Sequence, residues 1–200
     1  FTHLTTLQVL SLAGNRLQRF DDHVFQPLHS LMNLSLSGNI LSSLDSEAFA
    51  GLAKLQQLDL GSNAFSRVTG ECLKVLPELK TLNLSDNPIR VLNKRSFESV
   101  SIVELHLNDM RDLLFVDAAS FLDLPQLRVM QMHDNPRLTF IDPDAFIQTE
   151  SLEEVHFQNC HLATLPTSML KSLPNLQEIS FYGNPIRCDC TAQWIREMMS

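Results

Sequence analysis

Apolar residues open similar segments at Leu7, Leu31, Leu55, Leu79, Ile102, Leu127, Leu152 and Leu176, so successive starts lie 24, 24, 24, 23, 25, 25 and 24 residues apart. That spacing constrains the fold more than any other feature of the chain. A unit of two dozen residues has too little apolar surface to bury a core alone, so the copies must stack, each covering the next, in a quasi-one-dimensional array. Within a copy the intervals are fixed. The first runs Leu7, Leu10, Leu12, Asn15, Leu17, and the next two repeat it as Leu31, Leu34, Leu36, Asn39, Leu41 and Leu55, Leu58, Leu60, Asn63, Phe65.

Each column has a mechanical reading. The pairs Leu10/Leu12, Leu34/Leu36, Leu58/Leu60, Leu82/Leu84, Leu105/Leu107, Met130/Met132, Val155/Phe157 and Ile179/Phe181 alternate with polar residues, as half-buried strands do. The Asn column (Asn15, Asn39, Asn63, Asn87, Asn135, Asn184) falls where the chain turns inward, and an amide both donates and accepts there. Phe25, Phe49, Phe97, Phe121 and Phe146 recur on the far side of each copy, where stacked rings would fill the core. The pattern resembles the leucine-rich repeat and predicts a right-handed α/β horseshoe solenoid with eight strands in one parallel concave sheet. On this reading residues 1–6 are the tail of an upstream repeat, residues 7–186 are eight repeats and residues 187–200 begin a C-terminal cap. An N-terminal cap is expected before Phe1.

Three copies depart from the rule. Met110 replaces the Asn in the fifth, with an extra residue before Leu113; Arg137 is added before Leu138 in the sixth; Cys160 takes the Asn position in the seventh. Either the loops drift in a tolerant solenoid, or the extra residues shape a recognition edge.

Composition narrows the function. With 15 Lys+Arg against 23 Asp+Glu the net charge is −8, which predicts no nucleic-acid partner, and no run is long enough for a membrane helix. No Walker loop, H-E-x-x-H, G-x-S-x-G or dinucleotide fingerprint occurs, so neither an enzyme nor a cofactor is expected.

Cys72 and Cys160 read as small buried hydrophobes of the core. Cys188 and Cys190 differ: separated by one residue, they are poorly placed to bond each other. Zinc is the alternative to disulfides for these thiols. The string Asn184-Pro-Ile-Arg-Cys-Asp-Cys190, followed by Trp194-Ile195, resembles the opening of the cysteine-rich cap of extracellular leucine-rich-repeat proteins. That resemblance implies that Cys188 and Cys190 form disulfides with later cysteines, in an oxidising compartment. The segments 104–117, 124–127, 134–141 and 174–179 are further similar to the later repeats of the leucine-rich repeat neuronal protein family. This likeness implies a single-pass cell-surface glycoprotein acting in adhesion or receptor modulation, with membrane attachment only through a downstream anchor. An innate-immune pattern-recognition ectodomain and the targeting module of an extracellular enzyme are the alternatives. The sequons at Asn33 and Asn83 agree with a surface or secreted location.

The candidate partner-binding residues follow from the register of the concave strands. The early copies present small groups (Ser11, Ala13, Gly14, Ser35, Ser37, Gly38), whereas later ones present Glu104, His106 and Asp109, then Arg128, Gln131, His133 and Asp134, then Glu154, His156 and Gln158, and finally Tyr182. Large polar and aromatic side chains on a rigid concave face suit an extracellular protein ligand or cell-surface receptor. A three-histidine metal site and solvated polar groups are the competing readings. Asp86, Asp109 and Asp134 align with Asn159 as a negative strip, suited to a basic partner or to calcium.

Overall fold

Alternating apolar and polar residues at strand length give each copy one short strand whose inward side chain is buried in coils 2 to 7, and half-buried in the end coils, while its flanking ones are not buried. These are β1 (Val9–Ser11), β2 (Asn33–Ser35), β3 (Gln57–Asp59), β4 (Thr81–Asn83), β6 (Glu104–His106), β8 (Val129–Gln131), β10 (Glu154–His156) and β11 (Glu178–Ser180). They form one parallel sheet in chain order, registered column on column. The computed structural model describes residues 1–187 other than 22 and 69. The expected cap, with Cys188 and Cys190, lies outside the described residues. Coils are numbered 1 to 8 by the starts given above.

A second sheet departs from the expectation of one. Strands β5 (Val91–Leu92), β7 (Phe115–Val116) and β9 (Phe140–Ile141) pair in parallel on the exit side of coils 4 to 6.

Beneath the concave sheet the asparagines form a ladder. Asn39, Asn63 and Asn87 each donate Nδ2–H to a carbonyl of the preceding coil (Leu12, Leu36, Leu60) and accept, at Oδ1, the N–H of Leu17, Leu41 and Phe65. Asn135 and Asn184 do the same for coils 5 and 7. Each amide thereby satisfies backbone groups that the turn would otherwise bury unpaired.

The two coils without this Asn solve the problem differently. Met110 offers no acceptor, and the Ile89 N–H of the coil before it bonds to the Asn87 carbonyl at 2.8 Å. Cys160 keeps the donor half: its thiol donates to Met132 O at 3.2 Å, while the Leu138 N–H turns to Asn135 O at 3.0 Å. Burial pushes the Cys160 thiol up to about 11, so it stays protonated and able to donate at neutral pH.

The far side is filled as expected by phenylalanines. Phe1, Phe25 and Phe49 stack at 6.0 and 6.5 Å, and Phe97, Phe121 and Phe146 at 5.7 and 5.0 Å. Coil 3 interrupts the stack with a 3₁₀ turn, Gly70–Leu73, whose Cys72 and Leu73 are buried. Coil 7 has a short helix, α1 (Thr167–Lys171), with Met169 buried. No helix among the described residues is long and apolar enough to cross a membrane.

Candidate functional site

Register fixes what the concave face presents. One outward column reads Val9, Asn33, Gln57, Thr81, Glu104, Val129, Glu154, Glu178, and the next Ser11, Ser35, Asp59, Asn83, His106, Gln131, His156, Ser180. Beyond the strand ends a third row contains Ser85, Asn108, His133, Gln158 and Tyr182.

In coils 2 to 4 polar side chains bond from coil to coil. Asn33 donates to Gln57 Oε1 at 2.7 Å. Asp59 accepts from Ser35 Oγ at 3.1 Å, Asn83 Nδ2 at 2.8 Å and the Gly61 N–H at 3.1 Å. Their small size leaves an open hollow of about 400 Å³ over β1 to β4. Both sequon asparagines, Asn33 and Asn83, belong to this network, so a glycan on either would replace one of two amide hydrogens beside an existing bond.

In coils 5 to 7 the histidine side chains pair within their own coil. His106 Nε2 meets Glu104 Oε1 at 2.8 Å, His156 Nε2 meets Glu154 Oε2 at 3.6 Å, and His133 Nδ1 meets Asp134 Oδ2 at 2.6 Å. Two residues apart on a strand, Glu104/His106 and Glu154/His156 lie on one face, so these contacts follow directly from the alternation. Gln158 Nε2 approaches His156 Nδ1 at 3.4 Å, while Gln158 Oε1 is buried with no partner among the described residues. Tyr182 stands out at the end of this row, 68% exposed. His106 and His156 share a column, as the register predicts, with Gln131 between them. Among the described residues no three His, Cys, Asp or Glu side chains converge as metal ligands do.

Three placements refine the sequence reading. Arg128 sits one residue before β8, outside the outward columns, with its Nε 3.6 Å from Glu153 Oε1; Val129 takes the concave slot. Asn108, absent from the candidates, is buried on this face: its Oδ1 accepts the His133 N–H at 3.1 Å and its Nδ2 donates to Gln131 Oε1 at 3.2 Å. Its position between two sheet-face candidates, two residues after His106, was the available signal.

The third refinement concerns the aspartates. Asp86, Asp109 and Asp134 have φ of 54°, 57° and 58°, and the equivalent positions elsewhere are Gly14, Gly38, Ser62, Asn159 and Gly183, all with positive φ. Asp, Asn and Gly suit left-handed backbone, which accounts for the strip without a ligand. Asp134 is further tied down: the Asn159 amide, 2.8 Å away, and then His133 hold its carboxyl below the usual carboxylate value.

The chain matches the family described as leucine rich repeat in three overlapping segments, residues 5–65, 58–109 and 100–162. It is similar to Tsukushi of Gallus gallus, 28% identical over 103 residues, which are 51% of this chain and 28% of Tsukushi. Among solved structures, the chain is similar to TLR13 in its complex with ssRNA13, with a TM-score of 0.81, 28% identity, and 92% of this chain covering 30% of that one. The Toll–Spatzle complex of Drosophila shares the fold, with a TM-score of 0.70, 19% identity, and coverage of 92% and 27%. The chain thus spans less than a third of each. Because a similar fold is seen with single-stranded RNA, an acidic net charge does not by itself remove nucleic acid as a ligand class. With the repeat ladder, the registered parallel sheet and a family match over most of its length, the chain belongs to the leucine rich repeat family.

Proposed function

We propose that this chain is the protein-recognition module of an extracellular adhesion or receptor-type protein, and that it binds its partner without chemistry through the concave face of coils 5 to 8. One arrangement carries the reading: three histidine–carboxylate pairs, each closed within its own coil, share the concave face with the exposed Tyr182. The proposed contact residues are Glu104, His106, Gln131, His133, Glu154, His156, Gln158 and Tyr182, with Asp109, Asp134 and Arg128 at the rim.

The neuronal-type likeness of residues 104–179 supports a cell-surface adhesion or receptor-modulating role. A disulfide-bonded cap at Cys188 and Cys190, glycans at Asn33 and Asn83, and a membrane anchor downstream belong to the same proposal. The second reading is a pattern-recognition ectodomain, favoured by the likeness to TLR13 in its complex with ssRNA.

An array of purified extracellular ectodomains, probed with this protein and with single-stranded RNA as a separate arm, tests both. Protein binding that His106→Ala, His133→Ala and Tyr182→Ala weaken while Glu47→Ala does not is the expected result. Binding untouched by the three concave changes overturns the site, and binding to RNA alone favours the second reading.

A further inference from the structure

The second sheet carries an apolar strip on its outer side. Val91, Phe115 and Phe140 stand in register, and the two rings are 38% and 49% exposed. Exposed aromatics aligned on neighbouring strands are unusual on a solvated edge.

The charges around them are sorted by coil. Residues 90–95 of coil 4 include Arg90, Lys94 and Arg95 and no acid; residues 139–144 of coil 6 include Asp142 and Asp144 and no base. Between them, residues 114–119 of coil 5 read Leu, Phe, Val, Asp, Ala, Ala. The face therefore runs from basic through apolar to acidic across three coils. Arg95 is engaged by Glu98 at 3.4 Å, whereas Lys94 and Asp144 have no ion pair among the described residues.

A surface graded in this way complements itself when reversed. We propose that a second copy of this chain covers it, related by a two-fold axis lying in the interface along the strand direction at coil 5. That operation puts coil 4 over the other copy's coil 6. Phe115 meets the partner's Phe115, Val91 meets the partner's Phe140, and Lys94 falls between the partner's Asp142 and the partner's Asp144. The two Asp117 carboxylates approach at the axis, flanked by Lys94 of each copy. Both concave sheets stay open, so the dimer presents two recognition faces, and linked sites of that kind gain avidity with no new contact.

Sedimentation velocity of the 200-residue protein, across a dilution series in reductant so that intermolecular disulfides play no part, is the test. The expected result is a reversible monomer–dimer equilibrium. Phe115→Asp should weaken it about a hundredfold, as loss of a central aromatic anchor does. Lys94→Glu and Asp144→Lys should each weaken it about tenfold, each contact being present twice, and the double variant should restore it. Asp117→Asn should tighten it a few-fold by removing like charges at the axis. A monomer throughout the series, a dimer indifferent to Phe115→Asp, or a double variant no better than the singles overturns the proposal. Circular dichroism and melting of each variant separate loss of association from loss of fold, and Phe115→Ser serves if the aspartate variant does not fold.

Discussion

The two halves of the concave sheet have one backbone and opposite habits of bonding. In coils 2 to 4, Asn33, Ser35, Asp59 and Asn83 each bond to a side chain of the neighbouring coil. In coils 5 to 7, His106, His133 and His156 turn to a carboxylate of their own coil. Cross-coil bonds tie the repeat array together, while own-coil pairs add little to the stacking and remain exchangeable for a partner's groups. Asn108 and Asn159 are the exceptions in the second half, each donating to the coil that adjoins it. The contrast separates side chains that build the solenoid from side chains that it displays.

If the second half is held from beneath and not by its surface, the largest loss should come from the ladder. Asn135 is fully buried and makes three bonds, so Asn135→Ala should lower unfolding stability by about 3–5 kcal/mol in urea titration, with the Met110 N–H and the Leu107 carbonyl stranded and Met132 O left with the Cys160 thiol alone. A smaller cost is expected on the knitted half of the surface: Asp59→Ala, which removes the acceptor of three donors, should cost about 1–3 kcal/mol. His106→Ala should then cost less, about 1 kcal/mol or below, since a half-exposed pair contributes little. An equal loss from Asp59→Ala and His106→Ala would erase the distinction between the halves.

Acid gives the smallest and most specific effect. Asp134 has its folded pKa lowered, so its contribution is fully present above the unfolded value of about 4 and fades as pH falls through the folded value. Asp134→Asn should therefore be less stable than the parent at neutral pH, with the gap closing only in the acid limb of the melting-temperature profile. Asparagine tolerates the left-handed backbone at this site, as Asn159 does, so the comparison isolates the charge.

Much of this was legible because repetition makes each column an average over eight trials. The apolar strand pair recurs in all eight coils, the Asn in six and the Phe in five, which is enough to define each column. What the sequence hid recurs less often or has a backbone cause. Strands of two residues, such as Val91–Leu92, are too short to show alternation. Asn108 lies two positions before Met110, so a search along the Asn column passes it by. The row Asp86, Asp109, Asp134 drew a functional reading from its charge, yet its positive φ is the shared property, and φ is invisible without the fold. The register read from the sequence puts Arg128 on the sheet face, one position off, and the observed register assigns that slot to Val129.

The short second sheet spans the coils where the ladder loses its rung at Met110. Amides of Leu114, Asp117, Thr139 and Asp142 donate to the preceding coil there. The exit sides of coils 2 and 3 make one such bond each, from Ile40 and Ala64. In heavy water these four hydrogens should therefore be among the last on the lateral edge to exchange, opening only with the array as a whole. The middle of the solenoid, irregular in sequence, would then be its slowest part to breathe.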